Sequence, residues 1–302
     1  MRTKSKSPED LFDPPFQVVE PGQLTVPVVF NSPHSGNQYP ASFVAASKLD
    51  PKTLRKSEDA LIDELFLPVV ALGAPLVKAN FPRAYLDVNR EPYELDPSMF
   101  IETLPDYVNC TSLRVAGGLG TIPRVVSETE EIYAHRLTFS QAEDRIRDLY
   151  LPYHRCLSTV LNRVYTAFGV VLLIDCHSMP SAGFADDSLK LKSRPDIVLG
   201  DRYGSTCNPD AVYFLESAFR AAGYSVTRNK PYAGGHITQN YSKRTEGRHS
   251  VQIEINRALY MDEESLQPHD GFIGLRTDLA KIMRSLLGSL PDILRPSRIA
   301  AE

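Results

Sequence analysis

Two apolar runs limit what this chain can become. VPVVFN at residues 26–31 and GVVLLIDCH at residues 169–177 are nearly continuous in Val, Leu, Ile and Phe. A strand with one wet face alternates apolar and polar residues. A run without alternation belongs to a strand covered on both faces, the situation in a sheet layered between helices. Both runs end on polar residues: Asn31-Ser32-Pro33-His34-Ser35-Gly36 after the first, Asp175 and His177 within the end of the second. In such sheets ligands bind outside the carboxyl ends of the strands, so these exits are the first place to look for chemistry.

Further short apolar stretches predict strands at Pro75–Ala79, Ala84–Val88, Ile197–Gly200, Ser225–Arg228 and Ser250–Ile255, besides Val26–Asn31 and Val170–Asp175. Helical stripes lie between them. Residues 55–72 place Leu61, Ile62, Leu65, Phe66, Val69 and Val70 on one face, with Gly73 as the stop. Residues 129–166 carry a longer stripe interrupted at Pro152, which predicts two helices or one bent helix. Residues 208–222 open on Asn208-Pro209-Asp210, a cap followed by a first-turn proline, and residues 271–288 form a last amphipathic helix. The stretch from Pro92 to Arg124 is irregular and reads as a long excursion over the sheet. The expected architecture is α/β, a single domain with a mixed central sheet and helices on both faces, over residues 16–292. A loose N-terminal tail (residues 1–15) and a C-terminal tail (residues 293–302) flank it.

Composition removes several function classes. The 302 residues carry a formal charge of −4, with 42% hydrophobic and 23% charged residues, so there is no basic excess of the kind nucleic-acid binding requires. No apolar run approaches the roughly 18 residues of a membrane span. The charged, Pro-rich N-terminus lacks the apolar core of a signal peptide, and a cytoplasmic location is expected. Cys110, Cys156, Cys176 and Cys207 form no CxxC pair, which argues against a thiolate zinc site. No GxSxG elbow is present, which argues against a serine hydrolase.

Four residues stand out for chemistry. His34 and His177 follow apolar strands, and Asp59 lies at the opening of the 55–72 helix in Ser57-Glu58-Asp59. Two imidazoles and one carboxylate with an open position make a frequent catalytic zinc set. Taken singly, each has a plainer role: a hydrogen-bonded histidine, or an acid favoured by a helix N-terminus. Glu254, flanked by Ile253 and Ile255, is either one member of a polar face with Gln252 and Asn256 or a general base beside an activated water. Arg90 and Asn89 follow LDV, and Arg124 sits on the loop GGLGTIPR. Either arginine can grip a carboxylate or form a surface ion pair. His236, after Gly234-Gly235, can line a pocket or stabilise an oxyanion.

At these residues the chain resembles the N-formylglutamate amidohydrolase family. NSPHSG (31–36), EDALIDELF (58–66), LDVNREP (86–92), LIDCHS (173–178), GGHITQNY (234–241) and HSVQIEIN (249–256) resemble its motifs in order. The resemblance implies a fold similar to zinc carboxypeptidases and aspartoacylase. It implies a divalent metal, zinc first, held by His34, His177 and Asp59 or its neighbour Glu58. It gives Glu254 the role of base and Arg90 the substrate carboxylate, with Asn89, Arg124 and His236 as further pocket candidates. The implied substrate is a small molecule, an N-acyl acidic amino acid, with N-formyl-L-glutamate foremost. Another N-acyl amino acid, a small peptide, or a non-catalytic binding role on the same scaffold are the alternatives. The set also suits iron, cobalt or manganese. GGHITQNY departs from the family's common pattern at His236 and Asn240, where many members carry a tyrosine and a histidine. No nucleic-acid or membrane partner is expected.

Overall fold

The computed structural model describes residues 7–126, 130–182 and 195–294. The outer parts of the two expected tails, residues 1–6 and 295–302, lie outside the described residues. Its centre is a mixed seven-stranded sheet, as the apolar runs require. The strands are β1 (Phe16–Val19), β2 (Val28–Ser32), β3 (Leu76–Ala79), β4 (Val171–Met179), β5 (Ile197–Gly200), β6 (Val226–Arg228) and β7 (Arg248–Asn256). Their order across the sheet is β1-β3-β2-β4-β7-β5-β6. β2 pairs parallel with β4 and β4 with β7, while β5 pairs antiparallel with β7 and parallel with β6. Every residue of β2, β4 and β5 is buried, which is why their sequences do not alternate.

The described residues form two compact units. The first comprises Met1–Val18, Ser32–Ala60 and Val77–Ser158. Its core is rich in aromatic rings: Phe12 meets Phe81 and Tyr85 edge-on, and Phe43 meets Tyr85 in the same way. The guanidinium of Arg145 lies 3.9 Å from the Tyr85 ring centre. The second comprises Val19–Asn31, Leu61–Leu76 and Thr159–Glu302. It is built on β4, β7 and β5 and on the helices Pro209–Ala221 and Gly271–Ile293, whose apolar stripes are buried.

Several local expectations are corrected. Ala84–Val88 is not a strand: Tyr85 and Leu86 both donate backbone hydrogen bonds to Pro82 O, a turn that a β ladder cannot accommodate. The 55–72 helix breaks into a 3-10 turn (Arg55–Ser57), a helix (Ile62–Phe66) and a 3-10 segment (Leu67–Leu72), with Leu61 left-handed at φ 65°. Pro68 removes one donor from that last segment, and left-handed Gly73 (φ 92°) ends it. Of the 129–166 stretch, residue 129 lies outside the described residues, and the helix begins at Phe139 behind a Thr138–Gln141 capping box. It continues through a π turn (Ile146–Tyr150) to Phe168, so Pro152 is passed without a break. The wider π turn relaxes the ladder where a proline contributes no N–H. No helix among the described residues is long and apolar enough to cross a membrane.

Candidate metal centre

Strand register assembles one half of the site. In β4 and β7 the Cα partners are Asp175 with Gln252 and His177 with Glu254, and in β2 and β4 they are Asn31 with Asp175. Cross-strand partners share a face, as do residues two apart on one strand. Asn31, Asp175, His177, Gln252 and Glu254 therefore form one polar face at the carboxyl ends of three parallel strands. Ile174, Cys176, Ile253 and Ile255, of opposite parity, are fully buried on the other face. Side chains of the polar face contact one another through two hydrogen bonds and one close histidine–carboxylate approach. Asn31 Nδ2 donates to Asp175 Oδ1 (2.7 Å), His177 Nε2 lies 2.9 Å from Asp175 Oδ2, and Gln252 Nε2 donates to Glu254 Oε1 (2.6 Å).

The turn after β2 carries His34. Its Nε2 lies 2.8 Å from Asp87 Oδ1, and its Nδ1 faces Asp59 Oδ2 at 3.4 Å. Asp59 is tied to the same turn by its backbone: its N–H donates to His34 O (3.0 Å) and its carbonyl accepts from Ser35 Oγ (3.1 Å). Gly36 lets the turn close, because a Cβ there would sit 2.1 Å from Phe81 O. Asp59 is not on a helix; it precedes the left-handed Leu61 that starts one. Glu58 is buried, but Arg55 takes both its oxygens in a fork of 2.9 and 3.0 Å, which sets it apart from Asp59.

One ligand atom each of His34, Asp59 and His177 lies within 4.8 Å of the other two, and all three residues are buried. Two imidazoles and a carboxylate are a donor set that fits a divalent cation of the zinc type. The surroundings fit as well: a metal-ligating histidine usually has its far nitrogen held by a carboxylate, as Asp87 holds that of His34. Burial alone would raise the Asp87 carboxyl. The charges of Arg90, Arg83 and His34 outweigh it and hold Asp87 well below the usual carboxylate range.

The other predicted residues separate into two groups. Arg90 is buried beside this cluster, with Nη2 3.5 Å from Asp87 Oδ2 and its other nitrogens donating to Leu119 O and Asn89 O. Burial lowers its pKa to about 10, against the pull of Asp87. Asn89 is buried too and donates its backbone N–H to Asp87 Oδ1 (2.8 Å). Arg124 is instead engaged by Asp96 (2.8 Å) and Glu131 (3.1 Å), where it braces the loop. His236 is partly buried and opens the short helix His236–Asn240, so the predicted polar loop ends as a helix.

Sequence reasoning gave Asp87 and Asp175 no role in the site and saw in Gln252 only a face-filling residue. The available signal was an i, i+2 polar pair inside an apolar strand: Asp175-Cys176-His177 and Gln252-Ile253-Glu254.

The N-formylglutamate amidohydrolase family model matches residues 26–261. The chain belongs to the N-formylglutamate amidohydrolase family. The Pseudomonas aeruginosa protein named N-formylglutamate deformylase is 30% identical over 275 residues, covering 89% of this chain and 92% of its own. That of Pseudomonas putida is 28% identical over 246 residues, covering 80% and 84%. A crystal structure of N-formylglutamate amidohydrolase from Ralstonia eutropha JMP134 superposes with a TM-score of 0.87 at 34% identity, over 92% of this chain and 99% of that one. The amidohydrolase-family match includes His34, Asp59, Asp87, His177 and Glu254.

Proposed function

We propose that this chain is a metal-dependent hydrolase that cleaves N-formyl-L-glutamate to formate and L-glutamate. Family membership supports the substrate, and relatives of similar length carry that activity in their names. The observation that carries the metal dependence is the convergence of His34, Asp59 and His177. These three would hold the ion, for which zinc is the first choice by donor type. When bound, a divalent cation supplies Lewis-acid activation of water and of the formyl oxygen.

The chain's own groups do the rest. Glu254, Cα partner of His177, accepts the proton of the attacking water as the new C–O bond forms at the formyl carbon. It then delivers that proton to the glutamate nitrogen as the C–N bond breaks, so the amine leaves neutral. Asp87 keeps the His34 ring oriented. Arg83, Arg90 and Asp87 bring two guanidinium groups against one carboxylate, a cationic surplus that suits a substrate carboxylate, with Arg90 as the contact and Asn89 shaping its turn. His236 opens the helix after the Gly234-Gly235 loop, and this reading assigns it to the lining of the substrate site. Four free cysteines suit a reducing compartment, and we place the reaction in the cytoplasm.

The test is metal analysis of the purified protein together with a formate-release assay. About one divalent ion per chain and formate release from N-formyl-L-glutamate are expected. Glu254→Gln should keep the metal and lose kcat by roughly 10²–10⁴-fold. A metal-replete Glu254→Gln enzyme of near-normal turnover would remove the base assignment, and release of formate without stoichiometric metal would remove the metal dependence.

A further inference from the structure

Gln252 lies two residues before Glu254 on the polar face of β7 and is only 4% exposed. Its amide is held at both ends. The backbone N–H of Gly235 donates to Oε1 at 2.8 Å, and Thr238 Oγ1 lies 3.4 Å from the same oxygen. A backbone N–H has no other role than donor, so it selects the amide oxygen over the amide nitrogen. Nε2 must then point the other way, to Glu254 Oε1 at 2.6 Å. Turning the amide over would set donor against donor at Gly235 and oxygen against oxygen at Glu254. Each mismatch sets like against like at an amide that is almost wholly buried.

The donor that sets this direction is itself clamped. Gly200 of β5 is the Cα partner of Gln252, and a Cβ on it would meet Gly234 N at 2.7 Å and the Ala233 carbonyl carbon at 2.8 Å. Arg202 N–H donates to Ala233 O (2.7 Å) and Arg202 Nη1 to Gly234 O (3.2 Å). Gly234 takes a φ of +113°, which a residue with a side chain rarely adopts. The Ala233–Gly235 backbone is thus pinned on β5 with its amide aimed at Gln252.

We propose that Gln252 is a positioning residue for the reaction: it relays the fixed backbone amide of Gly235 to the carboxylate of Glu254, holding Oε1 as an acceptor and setting the aim of the base. This rests on Glu254 being the base. A misaimed base loses rate, not substrate affinity, because its contact matters in the transition state and much less in the bound substrate.

The experiment is a double-mutant cycle on metal-loaded enzyme, read as kcat and KM separately. Gln252→Met preserves length and removes both polar atoms. It is expected to lower kcat roughly 10–100-fold with KM and metal content within about threefold of the parent. Glu254→Asp withdraws the carboxylate by one methylene from the amide. In that background Gln252→Met should cost less than about threefold more, because the contact is already lost. Should Gln252→Met fail to fold, Gln252→Glu keeps an acceptor for Gly235 but replaces the amide donor, and the same loss of kcat is expected. A Gln252 variant with kcat within twofold of the parent overturns the relay, as does an equal loss in both backgrounds. If Glu254→Gln itself turns over normally, it is the base reading that fails; if it is inactive while the Gln252 variants are not, only the relay fails.

Discussion

The ring of His34 is held by Asp87 on one side and faces Asp59 on the other. Neither contact is visible in the run NSPHSG, because the partners arrive from positions far along the chain. Asp87→Asn keeps the size of the side chain but removes the charge that Arg83, Arg90 and His34 stabilise. It is expected to weaken metal binding by roughly 10–100-fold, measured by competition with a chelator of known affinity. Unchanged affinity would mean that the ring is oriented by something else. The choice between Glu58 and Asp59 was equally illegible in sequence, since adjacent carboxylates have the same chemistry. In the fold Arg55 forks onto Glu58 while Asp59 faces His34, the arrangement that supports Asp59 in the proposed ligand set. Glu254 was legible in a limited sense: a carboxylate between isoleucines in an apolar strand needs a partner or a purpose, and Gln252 supplies the partner.

At the scale of elements, the strands that ran without alternation were read within a few residues of their observed limits, and Ile197–Gly200 was matched end to end. The failures lie where backbone strain or a turn replaces a repeat. An apolar stripe over residues 55–72 looks the same whether the chain runs as one α-helix or as short helical pieces. Leu61 at φ 65° separates those pieces and turns Asp59 away from any helix, a placement that a leucine does not announce. Close approach is equally silent in sequence. Gly36→Ala would drive a methyl group against Phe81 O and force the His34 turn open. A loss of about 1–3 kcal/mol is expected, seen as a lower Tm with a correspondingly weakened metal site. An alanine variant of parental Tm and metal affinity would show that the turn has slack that its geometry denies.

The stability of the whole molecule should depend on pH through a group outside the site. Burial, and then the charge of Arg244, push His249 down to about 4. Its usual value is about 6.5, which it recovers on unfolding. Between those two values the unfolded chain binds a proton that the native chain refuses, so stability falls as pH falls across that window. Above about 6.5 both states are neutral and the group contributes no pH dependence. The difference in unfolding free energy between the parent and His249→Gln, measured from pH 7 to pH 4, should change by about 1–3 kcal/mol, allowing for the residual solvation of the ring. Parallel curves would show that the native chain takes up the His249 proton over the same pH range as the unfolded chain.

The sequence by itself determined the α/β class, the strands covered on both faces and the family. Those depend on local composition and period, which any stretch of chain carries with it. Only the tertiary structure decided which carboxylate faces His34, that Arg124 is engaged by Asp96 and Glu131, and that a backbone amide at Gly235 aims the side chain next to Glu254. Those are distances between segments remote in sequence, and they come into being only when register, left-handed turns and close glycine contacts bring the segments together.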